Sequence, residues 1–202
     1  MRAQSSRWLC VVMLALVMSG SAMAAGADES GSAAHDGSHA QSCHDFAWDV
    51  HRERRLLAGP PHDVKGGTSA AATPRVLPDE LYEVQLAPQS QVQYVTPPGK
   101  VMLSDGAYGG MVKFTVPRTG SYRVALDAPF WIDVVAGGKL LATEDFSGQR
   151  GCANPRKIVI FQMPAGEPLT LQISGARSAQ AEFTLTAAPQ GQSAPGQRHE
   201  AH

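Results

Sequence analysis

Between residues 79 and 187, apolar and polar positions alternate with a period of two. Tyr82, Val84 and Leu86 fall on one face of their run, as do Val112, Phe114 and Val116, and Tyr122, Val124 and Leu126. Ile158, Ile160 and Gln162 face one way, with Val159 and Phe161 opposite. Leu169, Leu171 and Ile173 alternate cleanly, and Phe183 and Leu185 close the series. Successive side chains of a strand point to opposite faces, so each run reads as a strand with one buried side. The punctuation is Pro and Gly: Pro97-Pro98-Gly99, Pro117 to Gly120, Gly137-Gly138, Pro164 to Gly166, Ser174-Gly175. Short runs of this kind, with turns every ~8–12 residues, predict an antiparallel β-sandwich or barrel. We expect a mainly β domain of roughly eight or nine strands over residues 79–187, with one N-terminal α-helix.

Upstream the period changes. Residues 42–58 read as that helix: Phe46, Val50 and Leu57 form one stripe, and Ser42 with Asp45 offers a cap. Asp45 and Asp49 lie early and Arg52, Arg54 and Arg55 late, which complements the helix dipole, and Gly59-Pro60-Pro61 stops the helix. Residues 59–78 show no period and read as a linker. Residues 25–41 contain no Leu, Ile, Val or aromatic residue, so they bury too little apolar area to offset their ordering entropy and are expected to be disordered. The polar tail 188–202 reads the same way.

The first residues set the compartment. Arg2 and Arg7 precede an uncharged apolar run from Trp8 to Met18, and Ala22-Met23-Ala24 supplies small residues for cleavage. Residues 1–24 are therefore expected to be a signal peptide, too short for a stable membrane span, and the protein periplasmic or secreted. Removing them takes two of the 17 bases and none of the 18 acids, leaving a net charge of −3 and no concentrated basic face for nucleic acid. Cys10 leaves with the signal. Of the remaining pair, Cys43 and Cys152, the first expectation in an oxidising compartment is a disulfide stapling the helix to the sandwich; a thiolate metal ligand or a reactive thiol is the alternative.

Two segments repeat one layout. Met111 to Leu126 is a strand, a Pro-x-x-Gly turn and a strand, and Ile158 to Ile173 repeats the idea. The layout resembles the bacterial pre-peptidase C-terminal type of β-sandwich and its jelly-roll relatives among carbohydrate-binding modules. On that resemblance, over residues 80–187, Asp133 is the acid of the Asp-containing strand and Gly137-Gly138 the Gly turn that follows. It implies an antiparallel, jelly-roll-like β-sandwich serving as a non-catalytic accessory module, although such modules sit beside an enzyme and this chain holds no enzyme motif of its own. The stretch from Cys43 to Val50 also resembles the opening of small periplasmic proteins, and that likeness brings no activity with it.

The candidate chemistry is sparse. No Gly-x-Ser-x-Gly or His-Glu-x-x-His motif occurs, and no histidine lies in the strand region. His35, His39, His44 and His51 crowd the N-terminal third, where neutral imidazoles suit Cu, Ni or Zn; solvated polar residues are the blander reading. Asp127, Asp133, Glu144 and Asp145 are candidate carboxylates for glycoside chemistry or local caps. Asp133 stands between apolar neighbours and needs a partner if buried: calcium, Arg123 or Lys157. Tyr82, Tyr94, Tyr108, Phe130 and Trp131 are candidates for stacking on a sugar or for core packing. A Cys43–Cys152 bond would bring His44 and Trp48 beside Gln149, Arg150 and Asn154 in the long loop 143–156, and these with Trp131 are the candidate ligand-binding residues. The expected function is a non-catalytic binding or accessory module for a periplasmic protein or a glycan, with weak transition-metal binding as the alternative.

Overall fold

The computed structural model describes residues 46, 48–100, 106–150, 152 and 154–189. The signal, the segment 25–41, Ser42, Cys43, His44 and the tail beyond 189 lie outside the described residues. One helix, α1 (His51–Leu57), precedes eleven strands: β1 (His62–Lys65), β2 (Leu81–Gln85), β3 (Ala87–Pro88), β4 (Tyr108–Phe114), β5 (Gly120–Leu126), β6 (Trp131–Ala136), β7 (Lys139–Leu140), β8 (Thr143–Gly148), β9 (Lys157–Met163), β10 (Leu169–Ala176) and β11 (Gln180–Ala187). They form two sheets. Sheet A has the order β1-β2-β11-β5-β9-β8 and sheet B the order β3-β4-β10-β6-β7. All pairings are antiparallel except β1 with β2. Setting aside the edge strands β1, β3 and β8 and numbering the rest by chain order, the sheets read 1-8-3-6 and 2-7-4-5, the jelly-roll order.

The two look-alike segments explain this order. β4 and β5 lie in different sheets, and so do β9 and β10, so each Pro/Gly turn is an arch between layers. Gly120 faces Met163 in sheet A and Phe114 faces Leu169 in sheet B, a step of six residues back on one segment and six forward on the other. The register therefore runs through both arches without a slip, and the two segments form one ribbon folded over the core. Val112, Phe114, Tyr122, Val124, Leu126, Val159, Phe161, Leu171, Ile173, Phe183 and Leu185 all enter the central core, as their alternation requires. Between β6 and β7, Gly137 and Gly138 both have positive φ, 53° and 76°, as a two-residue hairpin turn needs.

The sequence reading is corrected in three places. The helix spans His51–Leu57, not 42–58. Phe46, Trp48 and Val50 alternate, and all three are buried against Leu81, Ala125, Ile158 and Ile160 on the outer face of sheet A. Residues 48–50 are not helical, and the helical stripe begins only at Val50, continuing through Glu53 and Leu57. Residues 59–78 are not a free linker. They contain β1, and then Gly67 and Arg75 bridge to Met111 and Lys113 of β4. This segment thus crosses from sheet A to sheet B and closes that flank of the sandwich. Finally, Thr143–Gly148 is a strand rather than loop; it is an edge strand pairing only with β9, mostly exposed, and so shows no apolar alternation.

The strap formed by residues 46–57 is fixed by charge as well as by apolar contact. Arg123 of β5 points out of sheet A, yet its side chain is only 1% exposed. It donates to Asp49 O at 2.8 Å, lies 3.4 Å from Glu53 Oε1 and sits 5.5 Å from the Trp48 ring centroid. Glu53 Oε1 also accepts from Thr186 Oγ1 at 2.7 Å. Removing one member of a buried pair leaves the other charge unpaired, which costs about 3–5 kcal/mol. We therefore expect Arg123→Met to lower unfolding stability by that order in urea titrations. The double variant Arg123→Met, Glu53→Leu should recover more than half of the loss. A single-variant cost below about 1 kcal/mol would show that the strap does not depend on the pair.

Candidate functional site

The second flank of the sandwich is open. Its edges are β7 in sheet B, two residues long, and β8 in sheet A. Phe146 pairs with Val159, so it lies on the core-facing side of sheet A, yet it is 67% exposed. Among the described residues, the facing edge strand β7 is too short to lie over it. The result is a cleft of about 170 Å³ lined by Trp131, Ile132, Thr143, Phe146, Lys157 and Val159. Ile132 and Val159 belong to the central core, so the cleft floor is the edge of the core itself.

Trp131 is half-buried at the rim and carries the polar groups of the site. Its Nε1 donates to Asp133 Oδ2 at 3.0 Å. Lys157 Nζ lies 5.3 Å and Lys100 Nζ 5.6 Å from its ring centroid, both within cation–π range. Burial lowers the Lys157 pKa, Lys100 adds to the fall by repulsion, and Asp133 opposes it. Asp133 also accepts from Gly99 N at 3.0 Å, and Gly99 is fitted to it: a Cβ there would lie 2.9 Å from Asp133 Oδ1. Tyr94, on the same strap over sheet B, donates to Ile173 O, and its pKa rises to about 12 through burial and then through Asp133.

The candidates named from sequence separate in the fold. Trp131 is in the cleft. Trp48 is a buried residue of the strap, with its ring against Arg123. Arg150 and Asn154 are exposed, and Gln149 is half-buried with its Oε1 3.7 Å from Cys152 Sγ. Among the described residues no hydrogen bond, ion pair or ring contact joins Trp48 to Gln149, Arg150 or Asn154. Of the other aromatics, Tyr82 stacks on Phe183, Phe130 is in the core, and Tyr108 packs against it. Asp133, on sheet B, does not pair with Arg123, which lies on sheet A and pairs with Glu53 of α1. His51 is exposed, and its backbone N–H donates to Asp49 Oδ1; His35, His39 and His44 lie outside the described residues. Among the described residues no group of three or more His, Cys, Asp or Glu is placed to hold a metal ion. Sequence reasoning had Lys157 only as a partner for Asp133, had Thr143 and Phe146 only as members of the loop 143–156, and missed Lys100. The available signal was Phe146 itself, a lone aromatic among Thr, Glu, Asp, Ser and Gly.

The carboxylates considered for hydrolysis are occupied locally. Glu144 Oε2 accepts from Ser121 Oγ at 2.6 Å, Asp145 accepts from the Phe146 N–H, and Asp127 Oδ1 accepts from Glu182 N at 3.0 Å. No protein-family model matches the chain, and no curated protein matches it.

Asp127 gives a pH signature. Burial is the main cause that raises its pKa to about 6, helped by the Glu182 charge and opposed by backbone N–H groups. Unfolded, the group titrates near about 4, so between roughly pH 4 and 6 the folded chain binds more protons, and stability falls as pH rises through that window. The group is only partly buried, so the screened effect is about 1 kcal/mol. Asp127→Asn keeps an acceptor for Glu182 N and should remove this slope. Urea titrations at pH 4 and pH 7 should show the variant gaining on the wild type by that amount at pH 7, and equal slopes would refute it.

Proposed function

We propose that this protein is a non-catalytic binding or accessory module of an extracytoplasmic, oxidising compartment, and that its ligand enters the open flank between β7 and β8. One observation carries the reading: Phe146 faces the space between the sheets and is nevertheless 67% exposed. An aromatic side chain on a core-facing position is normally covered, and a concave apolar cleft with a few polar groups at its rim is the usual form of a ligand site. The lining offers one amine and one hydroxyl but no carboxylate or thiol, a set suited to holding a ligand rather than reacting with it. The jelly-roll strand order agrees with the accessory-module resemblance. A glycan and a protein segment are the two ligand classes to screen, with a glycan array and with periplasmic extract. Whichever class binds, Phe146→Ser should weaken it at least tenfold while leaving the unfolding midpoint nearly unchanged, because the side chain is mostly in solvent. Undiminished binding by this variant would end the reading.

The Cys43–Cys152 disulfide belongs to the same proposal. Phe46, three residues beyond Cys43, is buried against Ile158 and Ile160, and Cys152 is buried six residues before Ile158. In sequence, both cysteines therefore lie within a few residues of members of one apolar cluster. Thiol titration of the denatured, unreduced mature protein should find no free thiol, and Cys43→Ser should expose Trp48 to quencher while the β signal in circular dichroism persists. Two free thiols per chain would refute the bond.

A further inference from the structure

The charge at the cleft narrows the ligand. Lys157 lines the cavity and Lys100 lies over the same indole. Among the described residues neither ammonium has a carboxylate within ion-pair distance. The nearby acid, Asp133, accepts from both Trp131 Nε1 and Gly99 N through Oδ2, and its single charge can offset only one of the two ammonium groups. Two like charges held on one half-buried ring, facing an apolar cavity, leave an unmet demand for an anion at its edge. The size of the cavity limits what can accompany that anion. A cavity of roughly 150 Å³ is enough for a benzene molecule, and this one is about 170 Å³. The floor of Ile132, Val159 and Phe146 has no hydrogen-bonding side-chain group, so a ring dense in hydroxyls would be desolvated there without replacement partners.

Resting on the binding-module reading, we propose that the cleft takes a small aryl carboxylate: one apolar ring against Phe146, Ile132 and Val159, with its carboxylate at Lys157 Nζ and Lys100 strengthening the field across Trp131. The half-buried amine gains more from such an anion than a solvated one does, since its charge is already disfavoured by burial.

The test is a ¹H–¹⁵N titration of the full chain with phenylacetate, 2-phenylacetamide and glucuronate, read at the Trp131 indole N–H. Phenylacetate is expected to bind roughly tenfold tighter than its neutral amide, and glucuronate not to shift the signal at the same concentrations. In Lys157→Met the preference for the acid should largely disappear, Lys100 keeping the remainder and the ring contact being retained. Equal binding of acid and amide by the wild type overturns the charge selection but leaves the cleft as a binding site. Tighter binding of glucuronate overturns the aryl assignment in favour of a sugar acid. If no ring compound moves Trp131, this proposal fails, and the Phe146→Ser result on glycan or protein ligands decides separately whether the cleft reading fails with it.

Discussion

A sheet in a two-layer sandwich has two faces, and only one can be covered by the other sheet. The outer face of sheet A carries Ala125, Ile158, Ile160 and the guanidinium of Arg123, which cannot be left half-desolvated. The strap 46–57 answers both needs at once. Its apolar residues cover the isoleucines, and Asp49 O, Glu53 and the Trp48 face receive the guanidinium. Fully buried charge pairs gain little net stability over apolar packing, and one oxygen of Glu53 remains without a hydrogen bond. The value of the pair is therefore chiefly positional. A strap with four apolar side chains slides easily by two residues, whereas Arg123 accepts only the register that brings both Asp49 O and Glu53 to it.

Sheet B solves the same problem with neutral groups. Gln172, buried on β10, accepts from Thr96 N at 3.2 Å and donates to Thr96 O at 2.9 Å, reading one residue of the strap from both sides. Tyr94 and Gly99 add contacts to Ile173 O and Asp133 on either side of it. The polar residues that interrupt apolar strands here, Arg123, Asp133 and Gln172, are thus docking points for chain segments that cross the outer faces.

This accounts for what was legible in the sequence. Alternation separates Val159 and Phe161 from Ile158 and Ile160 because each set meets a different apolar layer, and the sandwich follows from that. The same alternation was present at Phe46, Trp48 and Val50, but Phe46, Val50 and Leu57 also fit a helical stripe, and a short segment cannot decide between the two periods without the surface it lies on. β8 was illegible for another reason: an edge strand over an incomplete facing sheet has no buried side to pattern. Lys100 and Lys157 are 57 residues apart, and Trp131 brings them together only through the tertiary fold. Asp133, which its apolar neighbours mark as needing a partner if buried, accepts from a backbone N–H and an indole N–H and does not pair with Arg123.

The location of the cleft follows from these same devices. Both outer faces are occupied by straps, and the flank at β1 and β4 is closed by residues 62–76, which run from one sheet to the other. The remaining long side ends in β7, whose two residues cannot span the six of β8. Lengthening β7 would bury Phe146 and complete the core edge at the usual gain for an aromatic side chain, so the short strand forgoes stability that the fold has room to take. Natural sandwiches protect an exposed edge with charges, and β8 carries Glu144 and Asp145 for that purpose. Phe146 lies between those acids and Ser147 on the inward side, where protection against aggregation would favour a polar residue. Its presence there, with Lys157 and Lys100 on the neighbouring indole, is what the proposed ligand site would require of this edge.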